Sequence, residues 1–130
     1  MKRVSTQQAY QFVAKREPFQ NHSGSLYGKW QEYMPIYRDR HVEFRPPLYQ
    51  EKLYVVYSYG SHWPLFIYSE ATNQWYGNSD KHSRTTSKHK GSARPPVPGS
   101  AIQWRDVHTM REIATNGLGG SVCKQFREAA

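Results

Sequence analysis

At 130 residues the chain is long enough for one hydrophobic core and too short for two. Aromatics make up 15% of it, ten Tyr and four Trp among them, which excludes wholesale disorder, and no apolar run nears the ~20 residues that span a bilayer. A net charge of +8 points to anionic partners such as nucleic acid, a nucleotide or an acidic protein face, and the single cysteine, Cys123, excludes an intrachain disulfide.

In chain order, Ser5 to Arg16 reads as a helix. Ser5 and Gln8 have capping-box spacing, Ala9, Phe12, Val13 and Arg16 recur at helical intervals, and Pro18 ends the pattern. Residues 19–28 have loop composition, with a strand-like piece at Leu26–Trp30. Pro35 makes Tyr33–Tyr37 an edge or irregular segment, and residues 38–52 read as a solvated crossing with a short strand at His41–Phe44. The strongest strand signals follow at residues 53–59, 65–69 and 74–77, rich in β-branched and aromatic side chains and separated by turn-forming residues. Leu53–Tyr59 is apolar on both alternating faces, so it is expected at the centre of the sheet. After a Pro-rich connector at 95–99 comes a short strand at 101–105 and a helix capped by Asp106 and ended by Asn116-Gly117. A last short helix starts at Ser121 and carries Val122, Cys123 and Phe126, Cys123 reading as an apolar filler rather than a nucleophile. The expected architecture is one α+β domain over 1–130. Its small, mainly antiparallel sheet is flanked by one N-terminal and two short C-terminal helices.

The segment from Asn78 to Arg94 breaks with what precedes it. Between Ser79 and Arg94 five basic residues (Lys81, Arg84, Lys88, Lys90, Arg94) face one acid, Asp80, a net of +4. Phosphate oxygens are held by ammonium and guanidinium groups, by hydroxyls and by backbone N–H groups. Residues Lys81, Arg84, Thr85, Thr86, Ser87, Lys88, His89, Lys90 and Arg94 therefore form a candidate nucleic-acid or phosphate site on a basic, hydroxyl-rich loop. Tyr59, Trp63, Trp75 and Tyr76 are candidate stacking faces for unpaired bases.

Other chemistries find less. Six histidines occur without Cys-x-x-Cys, His-Glu-x-x-His or a short His pair, so no metal site and no cofactor is expected. A phosphate-cradling P-loop is absent, and Gly117–Gly120 lies between helices, where it reads as a bend. The last two helices are too short and too poor in basic residues for a helix-turn-helix. A metal-independent ribonuclease would need a general acid, a general base and a cation, which His82, His89, Arg84, Lys88 and Tyr76 supply on paper, with Asp80 orienting an imidazole. Any basic, His-containing protein offers such a set, so the chain is read as non-enzymatic, with the ribonuclease as second alternative.

The segments Tyr57–Pro64, Trp75–Lys81 and Ser83–His89 together resemble short, uncharacterised proteins carried by bacteriophages and plasmids. In those a Tyr-rich strand precedes a Ser-x-Thr-Thr-Ser-Lys-His stretch. The likeness covers about residues 53–95 and leaves the terminal helices outside. It implies a mobile-element protein of the bacterial cytoplasm. Two roles follow: a nucleic-acid-binding accessory protein, or an inhibitor of a host defence system of the anti-CRISPR type acting mainly by protein contact. Expected partners are thus nucleic acid or a nucleoprotein complex, and no membrane.

Overall fold

The computed structural model of the protein describes residues 2–33, 51–81 and 84–118. The expected strand at 41–44, most of the Tyr33–Tyr37 segment, the last helix with Cys123, and His82 and Ser83 lie outside them. Seven strands run side by side in chain order: β1 (Lys2–Val4), β2 (Phe19–Asn21), β3 (Leu26–Glu32), β4 (Lys52–Ser58), β5 (Pro64–Ser69), β6 (Gln74–Asn78) and β7 (Ile102–Arg105). Helix α1 (Ala9–Lys15), preceded by a 3-10 turn at Thr6–Gln8, joins β1 to β2. Helix α2 (Arg84–Ser92) joins β6 to β7, and α3 (Val107–Asn116) follows β7.

The expected small, mainly antiparallel sheet is therefore corrected to a seven-stranded mixed one. Strands β2 to β6 pair antiparallel, but β1–β2 and β6–β7 pair parallel. A parallel neighbour requires a crossover, and at each end of the sheet a helix supplies it. The sequence reading missed β1 and β2 because three residues at a sheet edge carry too short an alternation to register. It also missed the parallel pairings, which are long-range and leave no local mark.

Topology settles where the helices lie. Four successive antiparallel pairings leave β2 and β6 pointing the same way, so both crossovers advance in one direction across the sheet. Two right-handed crossovers of that kind must cover the same face. Ala9 and Val13 of α1 and Ala93, just past α2, accordingly share one core with Phe19, Leu26, Tyr54, Val56, Phe66 and Trp75. The opposite face packs Leu53, Val55, Tyr57, Ile67 and Tyr76 under Met110, Ile113 and Ala114 of α3. Strand β4 lies between both layers, with every residue from Leu53 to Ser58 buried.

Local chemistry follows the same plan. Asp106 caps α3 by accepting from the Thr109 N–H at 2.8 Å, as its sequence position suggests. Ser5 makes no side-chain cap, and the first turn is 3-10 rather than α, so the capping-box expectation fails there. Arg16 adopts a left-handed φ of 54° where α1 ends. Its carbonyl accepts from Trp30 Nε1 at 2.8 Å, and that of Glu17 from the Tyr54 hydroxyl at 2.7 Å, tying the helix exit to the sheet.

Tyr54 owes its place to Gly28, which lies diagonally across the β3–β4 pair, opposite Val56. A Cβ at Gly28 would come within 2.6 Å of the Tyr54 hydroxyl oxygen and 2.7 Å of the Phe19 ring. Gly28→Ala is expected to lower unfolding stability by about 1–3 kcal/mol through overpacking. Gly91→Ala, where a Cβ meets nothing within 4 Å on α2, is expected to raise it by about 0.5–1 kcal/mol. Urea titration of the two variants against wild type checks both signs.

Candidate nucleic-acid interface

The polar segment after β6 is anchored before it becomes helical. Asn78 is buried at the end of β6, donates from Nδ2 to the Pro64 carbonyl at 2.9 Å, and accepts the Asp80 N–H on Oδ1 at 2.9 Å. Asp80 in turn accepts the Val107 N–H at 2.9 Å. Asp80, expected to orient an imidazole, thus joins Asp106 at the N-terminus of α3, where unpaired N–H groups and the helix dipole favour a carboxylate. Hydrogen bonds from the Thr109 N–H and from its side chain hold the Asp106 carboxyl below the usual carboxylate range. Both acids close to the basic segment are therefore spent on backbone N–H groups.

Residues 84–92 form a helix, not the expected loop. Composition argued for a loop because Ser, Thr and Gly are weak helix formers. Tertiary contacts overrule that preference. Thr86 and His89, a turn apart, are buried against the sheet. His89 Nδ1 lies 2.9 Å from Oγ of the buried Ser58 at the end of β4, and Ser58 Oγ lies 3.4 Å from Thr86 Oγ1. On the outer side the His89 ring stacks on Tyr59, with centroids 5.4 Å apart and planes inclined by 30°. Tyr59 holds a left-handed φ of 60°, uncommon for so bulky a residue, and remains 58% exposed. Burial lowers the His89 pKa, so the imidazole is neutral at pH 7.

Seating Thr86 and His89 inward turns the other charged and hydroxyl side chains outward. Arg84, Thr85, Ser87, Lys88 and Arg94 are exposed, as is Lys81 before the helix. Lys90 leans back over the Trp104 ring of β7, its ammonium 4.9 Å from the centroid. Partial burial, chiefly, and the neighbouring charges of Lys81 and Arg94 lower the Lys90 pKa, with Asp80 opposing. Among the described residues the only salt bridge joins Lys52 and Glu32, on β4 and β3, and none involves the cations of α2. Between α2 and the 3-10 turn at Thr6–Gln8 lies a groove of about 540 Å³, whose walls include Thr6, Gln7, Thr85, Lys88 and Ser92.

The four aromatics expected to stack on bases part company. Tyr59 is available. Trp63 is half-buried, with the Arg111 guanidinium 6.0 Å from its ring. Trp75, 5% exposed, packs with Tyr54 and Tyr68 in the core beneath the crossover helices. Tyr76 is buried on the opposite face with α3. The ribonuclease set is likewise not assembled among the described residues, since Tyr76 and His89 lie on opposite faces of the sheet. Trp104, 37% exposed, was not singled out in the sequence. A single Trp in a four-residue strand carries no local signal, and only the crossover brings Lys90 over it.

No group of three or more His, Cys, Asp or Glu among the described residues is placed to hold a metal ion, and none of their helices is long and apolar enough to cross a membrane.

The neutral, buried His89 sets a pH dependence. Its folded pKa lies below the unfolded value of about 6.5, so the unfolded chain binds the proton more readily. Its contribution to stability is complete above about pH 6.5 and is lost as pH falls toward the folded pKa. Urea midpoints measured between pH 7.5 and 5.5 should fall in wild type. They should fall less in His89→Asn, which is less stable throughout.

Comparison with protein-family models, curated proteins and solved structures finds no match, so the function of this chain is argued from the chemistry of α2 and its surroundings.

Proposed function

We propose that this protein binds nucleic acid, free or within a nucleoprotein complex, along the outward side of α2, without acting as an enzyme. The observation that carries the reading is the cluster Lys81, Arg84, Lys88 and Arg94. All four cations are exposed on α2 or at its ends and make no ion pair with any described residue, and the helix also carries the contacts to the Tyr59 and Trp104 rings. His89 and Lys90, consecutive on α2 and so about 100° apart around it, each meet one of those rings. Phosphates along a strand would release counterions as they meet the four cations, and an unstacked base would find the exposed ring of Tyr59. Ser87 and Thr85 add exposed hydroxyl donors on the two flanks of the Arg84–Lys88 stripe. Such a role suits the accessory protein of a mobile element to which the resemblance points.

An inhibitor of a host defence complex that works through protein contact would draw on the same aromatics, but its affinity would not track phosphate neutralisation. A metal-independent ribonuclease is less supported, because His89 is committed to Ser58 in the core.

Electrophoretic shifts with single-stranded DNA, RNA and duplex across a salt series test the proposal. Four phosphate contacts predict a log–log slope near −3 on single strands, at about 0.7 per contact. Arg84→Gln with Lys88→Gln should flatten it by about 1.4 and weaken binding to all sequences alike. Binding that ignores salt, or none at low salt, would reject the proposal.

A further inference from the structure

The groove beside α2 gives the basic surface a concave side. One wall is the 3-10 turn at Thr6–Gln8, the other is α2, and the crossover topology that puts both helical segments on one face creates the space between them. Its volume of about 540 Å³ falls within the range that encloses a small organic ligand. Among the described residues the walls offer hydroxyls from Thr6, Thr85 and Ser92, the Gln7 amide and the Lys88 ammonium, and no carboxylate. Groups that both donate and accept suit the edge of a nucleobase or a sugar, and a lone cation suits a phosphate. His89 also borders the groove, its ring held in place by Ser58 and backed by Tyr59. Gly91 leaves the space open, since a Cβ there would meet nothing within 4 Å.

We propose that this groove receives one unpaired nucleotide, its phosphate on Lys88 and its base and sugar against Thr6, Gln7, Thr85 and Ser92, which makes the ligand of α2 single-stranded rather than duplex. The inference rests on the nucleic-acid reading above. A paired base is held in its stack and enters a recess only by giving up pairing and stacking, whereas a single strand presents bases already free.

Gly91→Leu separates this inference from its parent. A leucine at Gly91 adds bulk to the groove's lining, removes no charge, and replaces a poor helix former, so the fold persists. Fluorescence anisotropy with a short mixed-sequence single strand and the matching duplex should show wild type preferring the single strand by about tenfold, the worth of one well-held base. Gly91→Leu should lose that preference while binding duplex as wild type does. Gly91→Ala, too short to fill the groove, should behave as wild type. Equal affinity of wild type for both ligands overturns the groove proposal and leaves the basic surface standing. So does an unchanged preference in Gly91→Leu, or a loss of preference already in Gly91→Ala. Wild type binding neither ligand overturns both readings.

Discussion

Helix α2 has little hydrophobic surface with which to stay on the sheet. Its sequence, Arg-Thr-Thr-Ser-Lys-His-Lys-Gly-Ser, contains no aliphatic side chain, and the nearest buried apolar residue is Ala93, just beyond its end. What seats it is polar: His89 against Ser58, with Thr86 beside them. Ser58 belongs to β4, covered on both faces, where a hydroxyl without a partner would cost about 1–3 kcal/mol. Strand and helix thus satisfy one another, and the Tyr59 ring covers the seam. The seat also fixes the helix's rotation. With Thr86, His89 and Ala93 inward, Arg84, Lys88 and Arg94 have only the outside left to occupy.

Charge is sorted by the same architecture. Asp80 and Asp106 both end at the start of α3, their carboxylates accepting the Val107 and Thr109 N–H groups. A carboxylate there is favoured by the helix dipole, and neither acid forms an ion pair with the described lysines and arginines of α2. Burial first, and then the charges of Lys81 and Arg94, push Lys90 toward its neutral form. An approaching polyanion would relieve that repulsion, so the unneutralised surface and the proposed partner share one electrostatic cause.

Aromatic side chains serve two purposes that composition alone does not separate. Tyr54 and Trp104 are large rings laid over glycines of adjacent strands. A Cβ at Gly28 would meet Tyr54, and one at Gly77 would come within 2.7 Å of the Trp104 ring. Tyr54 is wholly enclosed, while Trp104 sits on the last strand of the described sheet and keeps an outer face, over which Lys90 lies. Position across the sheet, not residue type, decides which ring is core and which is surface.

The sequence by itself determined the central strands from Leu53 to Asn78, because period-two alternation and β-branched content are local, and the start of α3, because Asp106 is a local cap. It also located the charge excess of residues 79–94. Only the tertiary structure decided that the sheet has seven mixed strands, since parallel pairing joins residues far apart and short edge strands carry almost no pattern. It decided as well that 84–92 is helical, because the Ser58–His89 contact links positions 31 apart and outweighs weak helix propensity. The same long-range packing divided the site residues, sending Thr86, His89, Trp75 and Tyr76 inward and leaving Arg84, Lys88, Arg94, Tyr59 and Trp104 on the surface.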